Sequence, residues 1–256
     1  MIILSAGMQK AGTGWYWNMT NELLMAAGYL DSRDIREKYQ LHAVLTTANC
    51  NVRGLDDQAI LELDRISQQG HTFVVKTHRR PSKLVRKLMA EGRMRATYIY
   101  RDLRDAIVSA LDRGRVMRET GELHGRHFYI GPQRSFAKYH TVRGGILWAR
   151  WRLVPVWKAW SRYGGVLMTR YEDLHADTHG QLRRLAEFLE VDVSDDQIEA
   201  IVSTYHRDRI KNSQEQVFLH FNKGVAGRFR EVLTSKQQEL CRKRLGRYLE
   251  MMGYLG

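Results

Sequence analysis

The sequence predicts an α/β fold: a single domain with a mainly parallel central sheet flanked by helices. Three observations carry that expectation. Short apolar runs of strand character alternate with helix-compatible stretches from the first residues onward. No internal repeat and no linker-like stretch interrupts the alternation across residues 1–256. The expected strands end in polar segments rich in cations: Gly7 to Gly14, Lys76 to His78, Arg101 to Asp105 and Arg170 to Asp173. Ligands of parallel sheets gather outside the carboxyl ends of the strands, so ends of one shared character point to one site.

The elements follow in order. Ile2-Ile3-Leu4 reads as a buried strand, and Trp15 to Ala27 as the helix after a Gly-rich turn. Asp31 to Gly54 carries few signals, with Leu41 to Thr47 open as a short strand or a loop. Asp56 to Gln68 places Ile60, Leu61, Leu63 and Ile66 at helical spacing, with acids in its first turn and Gly70 beyond its end. Thr72 to Val75 reads as a second strand, and Pro81 as the first residue of a helix reaching Glu91. Ala96 to Tyr100 is a third strand, with a helix running on through Ile107, Val108 and Leu111.

Residues 114–145 are basic, aromatic and His-rich, with weak periodicity, which fits a substrate or lid segment or a surface excursion. Ile146 to Tyr163 holds Trp148, Trp151, Trp157 and Trp160 at spacings suited to a core helix that Pro155 kinks or divides. Gly165 to Thr169 is the fourth strand. Gln181 to Glu190 is amphipathic, Ser194 reads as the N-cap of a helix through Tyr205, and Thr234 as the N-cap of the last helix.

Composition narrows the class. A hydrophobic fraction of 43% is ample for a core. Two cysteines, Cys50 and Cys241, exclude a disulfide framework and a four-thiolate zinc site. No apolar run approaches the roughly 18 residues that span a bilayer, and the chain enters a strand without a charged leader. A cytoplasmic protein with no integral membrane segment is expected. The net charge of +13 favours an anionic partner. The basic residues are spread out, and neither zinc-finger spacing nor an RNA-recognition aromatic signature is present, so nucleic acid is not the expected partner.

The first turn carries the chemistry. Glycines let the backbone curl so that N–H groups converge, and the following helix N-terminus adds partial positive charge. Lys10 adds a full charge. Triphosphate loops read G-x-x-x-x-G-K-[ST]. Here Gly7 and Gly12 have that spacing, but Thr13 stands where the Lys belongs, and Lys10 lies two residues before Gly12. From the residues alone several readings stay open: a structural turn, a nucleotide or small-molecule kinase, a non-catalytic anion or nucleic-acid binder, or a group-transfer enzyme.

Taken together the motifs resemble the sulfotransferases that use 3′-phosphoadenosine 5′-phosphosulfate (PAPS). The stretch Gln9 to Trp15 is similar to their PKSGTTW loop, with Gln9 in place of Pro. Tyr98 to Ser109 keeps the Arg, Asp and Val-Ser spacing of their Y-x-x-R-N-P-x-D-x-x-V-S signature. Lys76-Thr77-His78 and Arg170-Tyr171-Glu172-Asp173-Leu174 match further segments in the same order, and Asn222 to Gly227 partly matches a final R-K-G-x-x-G. Residues 31–70 and 114–145 have no counterpart.

The resemblance implies a P-loop nucleoside-triphosphatase-like fold, PAPS as donor co-substrate, 3′-phosphoadenosine 5′-phosphate (PAP) as product, and no metal. Lys10, Ala11, Gly12, Thr13 and Gly14 would hold the 5′-phosphosulfate, and Trp15 would stack on adenine. Arg101 and Ser109 would bind the 3′-phosphate, with Lys223 and Gly224 closing over it; Tyr171 would line the nucleotide site. Asn222 departs from the family's Arg, for which Arg228 or Arg230 could substitute. Lys10 suits the leaving bridging oxygen and Lys76 can assist it. His78 would be the general base toward an acceptor hydroxyl, a role that favours a pKa near neutrality, with a carboxylate base as the alternative. The aromatic and basic residues between Arg115 and Arg143 suit a small-molecule or glycan acceptor, a carbohydrate or glycolipid in preference to a hydrophobic phenol or a lipid.

Overall fold

The computed structural model describes residues 1–52, 54–119, 136–206, 209 and 224–255. It has two compact units. One comprises Met1–Tyr100 with Val156–Gly224, and the other Arg101–Pro155 with Val225–Gly256.

The first unit holds the sheet. Its strands are β1 (Ile2–Gly7), β2 (Phe73–Thr77), β3 (Met94–Tyr100) and β4 (Val166–Arg170). They lie in the order β2-β1-β3-β4, and every pairing is parallel. Every residue of β1 and β2 is buried, as expected for strands covered on both faces, so their apolar runs are continuous rather than alternating. Register sets Ser5 opposite Lys76, Ala6 opposite Thr77 and Gly7 opposite Ile99. The chain leaves β1 for β2 on one side and reaches β3 on the other. The strand order therefore reverses between β1 and β3, and their carboxyl ends flank the crevice where such sheets bind ligands.

Helix α1 (Thr13–Ala26) packs on β1 and β2 and buries Tyr16, Trp17, Met19, Leu23 and Leu24. Two elements differ from expectation after it. Helix α2 (Ser32–Lys38), capped by the Asp31 side chain on the Arg33 N–H, lies where the sequence carries few signals. Leu41 to Thr47 is mostly turn, with a single antiparallel bridge from Leu45 to Val52. Helix α3 (Asp57–Ser67) falls where its periodicity puts it. Helix α4 (Lys83–Ala90) starts later than predicted: Ser82 is its N-cap, accepting from the Val85 N–H at 3.2 Å, and Pro81 precedes the cap.

The second unit is helical. It contains α5 (Leu103–Glu119), α6 (Val142–Trp148), a π-turn at Ala149–Leu153, and the start of α7 (Val154–Ser161). The Trp-rich run is thus divided by a π-turn just ahead of Pro155. The wider turn separates the first expected pair, Trp148 and Trp151, while the second, Trp157 and Trp160, stays on the buried side. Trp148, Trp157 and Trp160 are buried, but Trp151 is 67% exposed and is not a core residue. Residues 120–135 of the expected substrate segment lie outside the described residues; on either side of them the chain ends α5 and begins α6.

The first unit closes with α8 (Tyr171–Ala176), α9 (Thr178–Leu189) and α10 (Asp195–Thr204). The second closes with α11 (Phe229–Val232) and α12 (Ser235–Met251), and α12 packs on α5 and α6. The Ser194 and Thr234 N-caps both form full capping boxes, with Gln197 and Gln237.

Candidate functional site

The loop from Met8 to Gly12 turns tightly between β1 and α1. The Met8 N–H bonds the Ile99 carbonyl at 2.8 Å, and the Ala11 N–H bonds the Met8 carbonyl at 3.2 Å. Two residues adopt left-handed backbone, Lys10 (φ 69°) and Gly12 (φ 74°). Gly12 is the N-cap of α1 and supplies no side-chain cap, and the first turn of that helix holds no acid. The N–H groups of Thr13, Gly14 and Trp15 therefore open an uncapped positive helix end. Ala11 and Thr13 are buried, so the loop presents backbone more than side chain. Gly12 meets a second constraint: a Cβ there would stand 2.8 Å from Cε2 of Tyr171.

Tyr171 opens α8 directly after β4 and is buried. Its ring meets Trp15 edge-on at 6.2 Å between centroids. The Trp15 indole N–H donates to the Tyr205 carbonyl at 3.0 Å, which fixes the indole plane. His175, one turn along α8, donates from Nε2 to the Gly224 carbonyl at 2.9 Å.

Lys76 sits near the end of β2 and is 5% exposed. Both of its backbone groups are paired with the segment 50–52: its N–H with the Cys50 carbonyl, its carbonyl with the Val52 N–H. Burial, helped by the charge of Lys10, pushes its ammonium down to about 8. His78 follows one residue past β2. Its Nδ1 lies 2.8 Å from the Gly7 carbonyl oxygen. A carbonyl can only accept, so Nδ1 carries the proton and Nε2 is left with a lone pair. Burial is the main cause, and Lys76 the next, of a His78 pKa pushed down to about 3. The near-neutral value expected from sequence is not what the fold gives: desolvation and adjacent cations hold the imidazole neutral. The turn that carries it is pinned twice more, by the Arg79 N–H on Thr77 Oγ1 (3.1 Å) and by the Trp160 indole N–H on the Arg79 carbonyl (2.9 Å).

In the second unit Arg101 is buried and donates from Nη2 to Asp105 Oδ2 at 3.0 Å and to the Val225 carbonyl. Asp105, 1% exposed, also accepts the Gly227 N–H at 2.6 Å and the Phe229 N–H at 2.9 Å. One carboxylate thus ties Arg101 to the segment 225–229. Ser109 is buried one turn of α5 further on. Arg228 does not stand free to replace the family's clamp: it is ion-paired with Asp112 at 2.8 Å, and the Arg230 guanidinium lies over the Phe229 ring. Lys223 and Asn222 lie outside the described residues.

Several contributors were missed from sequence: the Gly7 carbonyl, Trp160, His175 and Asp105 as an organiser of backbone. Only Asp105 left a signal, four residues after Arg101, the spacing of a helical ion pair. Among the described residues no group of three or more His, Cys, Asp or Glu is placed to hold a metal ion.

The carboxyl edge of this parallel sheet carries a helix N-terminus without a side-chain cap, two lysines and an oriented imidazole, a setting suited to an anion. The chain's family is established by comparison. Residues 2–253 match the family described as Sulfotransferase domain, and the chain belongs to it. Sulfotransferases of this fold take PAPS as donor, as the sequence motifs imply. Solved structures with the same fold include mouse sulfotransferase SULT7A1 complexed with PAP, at TM-score 0.59 and 19% identity over 99% of this chain and 88% of that one. Another is retinol dehydratase in complex with androsterone and the inactive cofactor PAP, at TM-score 0.57 and 20% identity over 97% and 80%. No curated protein matches the sequence.

Proposed function

We propose that this sulfotransferase moves the sulfuryl group of PAPS to a hydroxyl of a carbohydrate or glycolipid, with His78 as general base. The oriented imidazole carries this reading: Nδ1–H held on Gly7 leaves Nε2 as the proton acceptor. PAPS supplies the sulfuryl group and leaves as PAP. The residues present fit such a donor. The uncapped start of α1, with its left-handed Lys10 and Gly12, offers N–H groups to an anion. Burial first, and the charge of Lys10 second, lower the pKa of Lys76, and a bound anion would offset both.

In the transfer, Nε2 of His78 takes the hydroxyl proton as the acceptor oxygen bonds sulfur and the bond from sulfur to the bridging phosphate oxygen breaks. Lys10 and Lys76 stabilise the charge that develops on that leaving oxygen. Trp15 stacks on the adenine, Tyr171 lines the nucleotide site, and Arg101 and Ser109 take the 3′-phosphate with Lys223 and Gly224. A neutral imidazole with a low pKa is in its base form at any physiological pH, and the incoming anion raises its basicity. Support for a sugar acceptor is the exposed basic and His-bearing flank Lys138, His140 and Arg143 with the partly exposed Tyr139. The reading includes one sulfotransferase domain over 1–256, a substrate segment within 114–145 and a cytoplasmic site of action.

Binding of PAP tests the donor assignment. PAP without Mg²⁺ should raise the thermal midpoint, and Lys10→Ala and Arg101→Ala should each abolish most of that rise. Stabilisation by Mg-ATP alone would overturn it.

A further inference from the structure

The strongest unassigned feature is an exposed apolar and cationic face on α6 and its π-turn. Leu147 is 56% exposed and Trp151 is 67% exposed, four residues apart on the helical path. Arg143, Arg150 and Arg152 are exposed around them, and the Arg150 guanidinium lies 5.6 Å over the Trp151 ring. The opposite side of the same segment, Val142, Ile146, Ala149 and Leu153, is buried. Residues 150 to 152 are all exposed, between the buried Ala149 and Leu153. The sequence around the face is one-sided in charge. Between Phe136 and Pro155 there are four Lys or Arg and not one Asp or Glu. A generic solvated surface carries both signs.

We propose that this face docks the protein on an anionic lipid bilayer. Trp and Leu insert at the headgroup boundary while the arginines pair with lipid phosphates, the arrangement of interfacial helices. A nucleic acid would answer the charge, but it has no use for an exposed Leu147. No described helix is long and apolar enough to cross a membrane, so the contact is peripheral. The proposal is independent of the donor and base assignments, since none of these residues belongs to them.

The test is flotation with phosphatidylcholine vesicles, alone or with about 30% phosphatidylglycerol, at low and high salt. The protein should float with the anionic vesicles only, and about 0.5 M salt should weaken the binding. Leu147→Ser/Trp151→Ser should cut it about tenfold, while Leu147→Met/Trp151→Phe retains most of it. Unchanged melting temperature and transfer to a soluble acceptor show that both variants are folded. No flotation at low salt would overturn the proposal. So would full binding by the serine variant, or equal loss in the conservative one. Tight binding of a single-stranded oligonucleotide that ignores the serine substitutions, with no flotation, would assign the face to a nucleic acid instead.

Discussion

The Nδ1 nitrogen of His78 lies 2.8 Å from the carbonyl oxygen of Gly7, joining the turn after β2 to the last residue of β1. That bond fixes the tautomer that leaves Nε2 able to take a proton. His78→Ala should lower kcat by about 10²–10⁴-fold with PAP affinity nearly unchanged. Steady-state kinetics beside PAP calorimetry separates the two. Equal loss of PAP binding would make His78 a structural residue.

The imidazole also sets a pH dependence of stability. Its folded pKa of about 3 is below the ordinary 6.5, so between these values the unfolded chain binds the extra proton. Stability is fully present above about pH 6.5 and falls as pH drops toward 3, by about 2–4 kcal/mol after discounting for partial exposure. Urea unfolding of the unliganded protein across that range should show the slope, and His78→Gln should flatten it.

Lys76 gives a second titration of the opposite use. Its pKa of about 8 reflects burial and the charge of Lys10, and an anion bound beside both raises it. PAP binding near pH 9 should therefore take up protons. Calorimetry in two buffers of different ionisation enthalpy measures the uptake, and Lys76→Met should remove it.

Gly12 combines φ 74° with a missing Cβ that would press on Tyr171. Gly12→Ala should cost about 1–3 kcal/mol in stability and weaken PAP binding through the shifted turn. Denaturant melts and PAP titration check both. An unaltered affinity would mean the loop does not hold the nucleotide.

Asp105 accepts from Arg101, Gly227 and Phe229 at once. Asp105→Ala removes the counter-charge of a buried guanidinium and the acceptor of two N–H groups and should cost about 3–5 kcal/mol. Asp105→Asn, which keeps part of the bonding, should lose less stability yet still weaken PAP binding more than binding of adenosine 5′-phosphate.

The sheet was legible because its strands are buried on both faces. Ile2-Ile3-Leu4 and Phe73-Val74-Val75 are apolar without interruption; the second runs straight into Lys76, and the first into the Gly-rich turn that carries Lys10. The loops were legible through residue type: Lys10, His78 and Arg101 announce chemistry. What they touch was not. Any residue at position 7 would offer a carbonyl to His78, and Tyr205 meets Trp15 from 190 positions away. The depressed pKa of His78 follows from burial, which spacing does not reveal. Helix α2 has seven residues, too few for periodicity to emerge. Trp151 was misread as core because a π-turn shifts phase without changing composition.

Transfer of labelled sulfur from PAPS to hydroxyl acceptors, compared between the native chain and His78→Ala, tests the central claim most directly. The account predicts a sulfated product from a sugar or glycolipid, with release of PAP, and a rate reduced at least about a hundredfold in the variant. Native-level transfer by His78→Ala, or no transfer by the native chain from PAPS to any hydroxyl acceptor, would contradict it.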